Sequence, residues 1–225
     1  MGADKAEVRL RGVTLLEIAV RKLQRICSEV VLVGERELVP AGVRIIPDLH
    51  RGCGPMGGME AALQDLNEGA AMFLPVDMPF VPVDLLALMA EEWVRSRARV
   101  CLAVADGRVQ PLVSMLRWDM VEDLRSALER GEYKVRPVLE GSSKATVGSE
   151  THGTVVRTEI STAVRSSVWP GWIPGDQDWA ARELWFANLN TRAELVSAEL
   201  VLETISGAGA DKLLHLSYSS CFGTR

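Results

Sequence analysis

The sequence predicts a single α/β domain in three layers, a mostly parallel sheet with helices on both faces. Three observations predict it. Short β-branched or apolar runs stop at turn residues: 29–33 before Gly34, 43–46 before Pro47-Asp48, and the run from residue 71 that ends on Asp77. Amphipathic helical stretches separate these runs, and that alternation implies strands covered on both sides. No repeat or internal linker interrupts the pattern, so residues 1–206 read as one domain and 207–225 as a loosely ordered tail.

Length and composition support one full core, with 225 residues of which 48% are hydrophobic. The 25 basic and 30 acidic residues leave a net charge of -5, which argues against general attraction to nucleic acid. A small anionic ligand held by a few local donors fits that balance. Cys27, Cys53, Cys101 and Cys221 form no Cys-x-x-Cys pair, and His50, His152 and His215 have no metal-ligand spacing. Cys27 and Cys101 read as core residues, and Cys53, between two glycines, as exposed. No signal peptide is recognisable, and no apolar run approaches the roughly 18 residues of a membrane span. A cytoplasmic protein without membrane contact is the expectation.

Taken in order, the chain opens on Met-Gly-Ala-Asp-Lys-Ala with no strand before it. Lys5 is either a solvated lysine or a phosphate ligand on a loop. Residues 8–10 form a short extended piece before Gly12. Thr14 caps a helix over 15–27, whose Leu15, Leu16, Ala19, Val20, Leu23 and Ile26 make one apolar face. Arg21, Lys22 and Arg25 lie mostly opposite and read as a solvated face. Strands follow at 29–33 and 43–46. A helix over 59–66, the strand ending at Asp77 and a helix over 83–95 come next. A strand at 99–104, a turn at Asp106-Gly107 and an extended run at 110–116 make either a hairpin or a change of sheet direction. A helix over 118–129 ends at Gly131, and a short one covers 133–139. Short strands are expected at 154–157 and 162–164. The tryptophans of 169–176 either stack on a planar ligand or cover a core edge. Thr191 caps a last helix over 193–205, and Asn188 and Asn190 bracket the turn before it.

Two carboxylates and one glycine-rich stretch carry the chemistry. Asp48 and Asp77 each stand just past a strand, where open α/β sheets bind ligands. A divalent cation is the usual compensation for such a charge. Asp77 alternatively caps the helix near Val83, or makes a turn with Pro79. Residues 51–58 hold four glycines in Arg-Gly-Cys-Gly-Pro-Met-Gly-Gly. Their backbone entropy cost is explained by positive φ or by a ligand approaching the main chain. The helix that follows turns its first amides toward an anion or polar ring, or the stretch is only a tight turn.

The order of these signals is more informative than any one of them: Gly-x-Asp-Lys-Ala at 2–6, Pro-Asp at 47–48, Gly-Pro-Met-Gly-Gly at 54–58, Val-Asp-Met-Pro-Phe at 76–80, Gln-Pro-Leu at 110–112 and Asn-Leu-Asn-Thr at 188–191. The set resembles the molybdenum cofactor guanylyltransferases, within the wider nucleotidyltransferases built on a three-layer Rossmann-like sheet. The resemblance covers roughly residues 1–200. It implies Mg2+-dependent transfer of GMP from GTP to the terminal phosphate of molybdopterin, with release of pyrophosphate. Asp77 then matches the metal ligand, and Lys5 the lysine on the nucleotide phosphates; these two are the catalytic candidates. Asp48 with Gly54, Pro55 and Gly58 matches the part that holds guanine and ribose. Asn188 and Asn190 match the stretch beside the acceptor phosphate. GTP and the pterin cofactor are the implied partners, with transient contact to other cofactor-biosynthesis proteins.

The chemistry agrees with the residue inventory. Attack of one phosphate on another gathers negative charge, so positioning and charge neutralisation carry catalysis. No protein nucleophile is needed, and the sequence offers no Ser-His or Cys-His arrangement. One departure stands out. The family begins with a strand and a Leu-Ala-Gly-Gly loop ahead of the Met-Gly-x-Asp-Lys segment, and here Met1 takes the place of that methionine. About 15 to 20 residues of strand and loop are thus expected to be missing. A start placed too late or a truly short chain explains this. Two further readings stay open: a related enzyme using CTP or a sugar phosphate, and a degenerate nucleotide-binding module without turnover.

Overall fold

The structure, a computed structural model, describes residues 7–35, 39–105, 108–142, 155–159 and 185–206, with backbone alone for 155–159 and 201–206. A tight hairpin, β1 (Arg9–Leu10) and β2 (Val13–Thr14), leads into α1 (Leu15–Leu23). Arg11 and Gly12 turn it with φ of 50° and 82°, the left-handed pair that two-residue hairpins require. β3 (Val30–Val33) and β4 (Val43–Ile46) pair in parallel. Then come α2 (Pro55–Asp65), β5 (Ala70–Phe73), α3 (Val83–Ser96), β6 (Val100–Ala105) and β7 (Arg108–Arg117). A single 3-10 turn at Trp118–Met120 precedes α4 (Val121–Glu129), α5 (Val135–Gly141), β8 (Val155–Glu159) and α6 (Arg192–Ser206).

β6 explains the three layers. It lies between β7 and β8 in a sheet of order β5-β7-β6-β8, and Val100 to Val104 are all buried. Successive side chains of a strand point to opposite faces. Val100, Leu102 and Val104 join the core under α2, α4 and α5, with Met59, Leu63, Leu124 and Leu139. Cys101 and Ala103 join the opposite core under α3, with Leu85, Leu86, Met89 and Trp185.

The pairing is more mixed than expected. β3–β4 and β6–β8 are parallel, whereas β7 runs antiparallel to both β5 and β6. The extended run at 110–116 is therefore the returning arm of a hairpin, and it turns that side of the sheet. Register slips between Leu102 and Ala103, opposite Pro111, which has no N–H to give a ladder. Among the described residues the β3–β4 pair is not hydrogen-bonded to the larger sheet; α2 packs on both β3 and β5 and bridges them.

Helix boundaries follow the sequence to within three residues, with two larger differences. α1 ends at Leu23, and Gln24 to Cys27 continue only as turns, with the Cys27 amide on Leu23 O at 2.7 Å. α2 starts at Pro55 rather than Met59, because proline is preorganised for a first helical position. Cys101 is buried, whereas Cys27 and Cys53 are both half-buried. The turn at 106–107, the 162–164 strand, the tryptophan segment 169–176 and the tail 207–225 lie outside the described residues. No helix among the described residues is long and apolar enough to cross a membrane.

Candidate active site

Asp77 sits in a turn beyond β5, not on the strand's last residue. The turn is poorly braced from within. Pro75, Pro79 and Pro82 remove three backbone donors from it. Its own backbone bonds, Met78 N to Pro75 O and Val81 N to Met78 O, measure 3.3 and 3.5 Å, at or beyond the long limit. The first residue of α3 follows Pro82, so the N-cap position belongs to Pro82 and not to Asp77.

External contacts hold the turn instead. The Leu189 amide donates to Asp77 O at 2.8 Å. Leu189 is buried with Leu10, Leu15, Ile18 and Ala198, and Val76 and Phe80 pack against that cluster on either side of Asp77. This bond and this cluster bring the 188–190 segment onto the Asp77 turn. Asn188 is exposed and Asn190 is half-buried beside it. The segment is fixed in turn by α6, where Thr191 Oγ1 accepts from Glu194 N at 3.2 Å. Glu194 Oε2 accepts from the Asn190 and Thr191 amides, each at 2.8 Å. That reciprocal pattern is a capping box.

The second half of the site follows β4. Asp48 Oδ1 accepts from the His50 amide at 2.9 Å, which folds the chain back toward α2. A Cβ at Gly57 would stand 2.9 Å from His50 O and 3.2 Å from Asp48 Oδ1. Gly57 is therefore glycine for close packing inside α2, and the sequence reading did not single it out. Among the described residues, a Cβ at Gly58 would meet only Val33, at ordinary contact distance. Gly54 takes φ of 65° as the N-cap of α2, without a side-chain cap bond, and Pro55 occupies its first turn. The glycine-rich stretch is thus one left-handed turn followed at once by a helix that begins with uncapped amides. Val76 packs against the Leu16, Val20 and Val30 cluster, which also supports β4 through Val43. Shared packing on α1 and β3 therefore links the Asp77 turn to the Asp48 side.

Two charged groups that the sequence reading assigned elsewhere or passed over support these halves. Lys22 is not on a solvated face: its Nζ donates to Val81 O at 2.7 Å and to Pro79 O. Its position, seven residues after Leu15 and four after Ile18, already puts it on the buried stripe of α1. Burial pushes its ammonium down to about 7. Arg21, by contrast, pairs with Glu17 at the surface. Glu60, 1% exposed on α2, takes two bonds from Arg125, at 2.9 and 3.0 Å, and faces His50 Nε2 at 3.6 Å. A lone charge inside the otherwise apolar Met59–Leu63 run was the signal for it. Lys5 lies outside the described residues.

Asp77 offers the kind of single carboxylate that a magnesium site can use. Magnesium is typically bound through one or two carboxylates, waters and substrate phosphates. Among the described residues no cluster of three or more His, Cys, Asp or Glu side chains could enclose an ion. A single half-buried Asp77 on an externally held turn meets the first description.

Residues 1–147 match the family described as the MobA-like NTP transferase domain. A molybdenum cofactor guanylyltransferase from Burkholderia vietnamiensis is 31% identical over 148 residues, covering 60% of this chain and 72% of the relative. One from Shewanella halifaxensis is 28% identical over 138 residues, covering 60% of this chain and 69% of the relative. The crystal structure of molybdopterin-guanine dinucleotide biosynthesis protein A from Archaeoglobus fulgidus superposes with a TM-score of 0.66. That superposition has 23% identity and covers 90% of this chain and 92% of that one.

Proposed function

Because the chain belongs to the MobA-like NTP transferase family, we propose that it transfers GMP from GTP to the terminal phosphate of molybdopterin in a Mg2+-dependent reaction. The observation that carries this is the Leu189 amide on Asp77 O, which puts the expected acceptor segment against the expected metal ligand. In the reaction, a terminal phosphate oxygen of the pterin attacks the α-phosphorus of GTP. The bond between that phosphorus and the oxygen bridging to the β-phosphate breaks, and pyrophosphate leaves. Both reactants are anions, so the work of the site is to hold them in line and neutralise charge. A bound magnesium ion supplies Lewis-acid neutralisation at the phosphates.

Each residue has a part in this reading. Asp77 holds the metal. Asp48, with Gly54, Pro55 and Gly58, holds guanine and ribose beside the uncapped start of α2, where amides favour an electron-rich partner. Asn188 and Asn190 present polar groups to the acceptor phosphate. Lys5 is assigned to the nucleotide phosphates as a point charge. It is three residues from Val8, which packs with the cluster touching Val76 and Phe80, so at most about 10 Å of chain can separate Lys5 from Val8. Residues 1–206 are the unit proposed to carry the activity, in the cytoplasm, with GTP, the pterin and transiently other cofactor-biosynthesis proteins as partners.

The test is pyrophosphate release from purified protein with Mg2+, molybdopterin and either GTP or CTP. Release with GTP at a higher kcat/KM than with CTP supports the reading. Preference for CTP moves the assignment to a related nucleotidyltransferase, and binding without release to a non-catalytic module.

A further inference from the structure

Lys22, a half-buried residue, donates to two backbone carbonyl groups. Its Nζ reaches from α1 to Val81 O at 2.7 Å and to Pro79 O, both in the turn that presents Asp77. No carboxylate shares the ammonium among the described residues. Drawing a cation even partly out of water without an anion has a cost, so what it holds in return is informative. The turn's own backbone bonds are long, and its prolines withhold three donors. The short bonds come from outside: Lys22 on one side and the Leu189 amide, at 2.8 Å, on the Asp77 carbonyl.

We propose that Lys22 is a positioning residue: by tying Pro79 O and Val81 O to α1 it fixes the turn that aims Asp77 at the metal–nucleotide. The inference rests on the reading of Asp77 as the metal ligand. It touches no substrate itself, and it differs from Lys5, which is assigned to the phosphates. Either protonation state serves the role, because a neutral amine keeps two N–H donors for the two carbonyls. The lowered basicity of Lys22 is then a consequence of where it must sit.

The experiment compares the wild-type chain with Lys22→Met, Lys22→Gln and Lys22→Arg. Hydrogen exchange of the free protein reads the Met78, Phe80 and Val81 amides, and steady-state kinetics reads kcat and KM separately. Lys22→Met is expected to keep its circular dichroism and exchange faster at this turn. Its kcat should fall about 10²-fold, the scale of a misplaced reacting group, while KM for GTP changes little. Lys22→Gln, too short for both carbonyls, should give the same split where methionine compromises folding. Lys22→Arg, which keeps charge and donors, should recover most of the kcat. Leu128→Ala, in the core under α4, supplies a destabilised control with unchanged kcat. Equal kcat loss in Lys22→Met and Leu128→Ala, or unchanged turn exchange in Lys22→Met, overturns the proposal. Should the wild type show no turnover, the functional reading fails, and the exchange comparison alone still decides the role of Lys22.

Discussion

Gly57 and Gly58 are neighbours on one turn of α2, yet a side chain at the two positions meets different surroundings. At Gly57 it meets the His50 backbone at 2.9 Å, which cannot yield as a side-chain tip can. Gly57→Ala is expected to destabilise by about 1 to 3 kcal/mol, the range for overpacking, and to raise KM for nucleotide by displacing Asp48. At Gly58 the nearest atom is Val33 Cγ1 at 3.8 Å, so Gly58→Ala should stabilise the protein by up to about 1 kcal/mol. Paired thermal melts check the opposite signs. Asp84, in the first turn of α3, is a different residue-scale case. Burial pushes its carboxyl up to about 6, against the pull of the Arg25 guanidinium. The folded state therefore holds that proton more tightly than the unfolded chain does. Stability contributed by the protonated acid is lost as pH rises from the ordinary carboxylate range through about 6. Asp84→Asn should flatten that slope and raise stability near neutral pH by about 2 kcal/mol, with no gain near pH 4. Lys22 has the opposite linkage: its folded-state pKa of about 7 lies below the unfolded one, so its cost is relieved as pH rises above 7. Denaturation curves across pH separate the two.

At the scale of elements, helix starts were the most legible feature. Thr14 accepts from the Glu17 amide at 3.1 Å, as its place before Leu15 predicted, and Thr191 begins α6 as expected. Thr191→Ala should cost about 1 kcal/mol, typical of a lost N-cap, and loosen the 188–190 segment against Asp77; a melt with exchange at Leu189 checks both. The start of α2 was less legible, because Gly-Pro signals a turn and a first helical position equally well. Lys22 was misread for a similar reason. Charge type suggested solvent while periodicity put the residue on the packed stripe, and the two disagreed at one position. Strand existence was legible from β-branched runs, but pairing direction only in part, since a hairpin was one of two readings for 99–116. Only long-range partners decide that β7 returns antiparallel along β6.

Across the whole molecule, order along the chain foretold proximity in one case and not in others. Nothing local in Asn188-Leu189-Asn190 points to Asp77; the resemblance linked them, and the Leu189 amide joins them in space. The Glu60–Arg125 pair joins α2 to α4 from 65 residues apart and had no expectation attached to it. The sheet is not one ladder: among the described residues β3 pairs only with β4 and β5 only with β7, while β6 is paired on both sides. Amides of β6 should therefore exchange most slowly, and those of β3 and β5 sooner, in native-state hydrogen exchange. The account depends on Asp77 as the group that makes nucleotide binding respond to metal. Calorimetry of GTP binding with and without Mg2+, on the wild type and on Asp77→Asn, tests this most directly. The account predicts that Mg2+ tightens binding to the wild type, that Asp77→Asn melts normally but loses this tightening, and that its turnover drops by about 10²-fold or more. The same metal-dependent tightening in both proteins would contradict it.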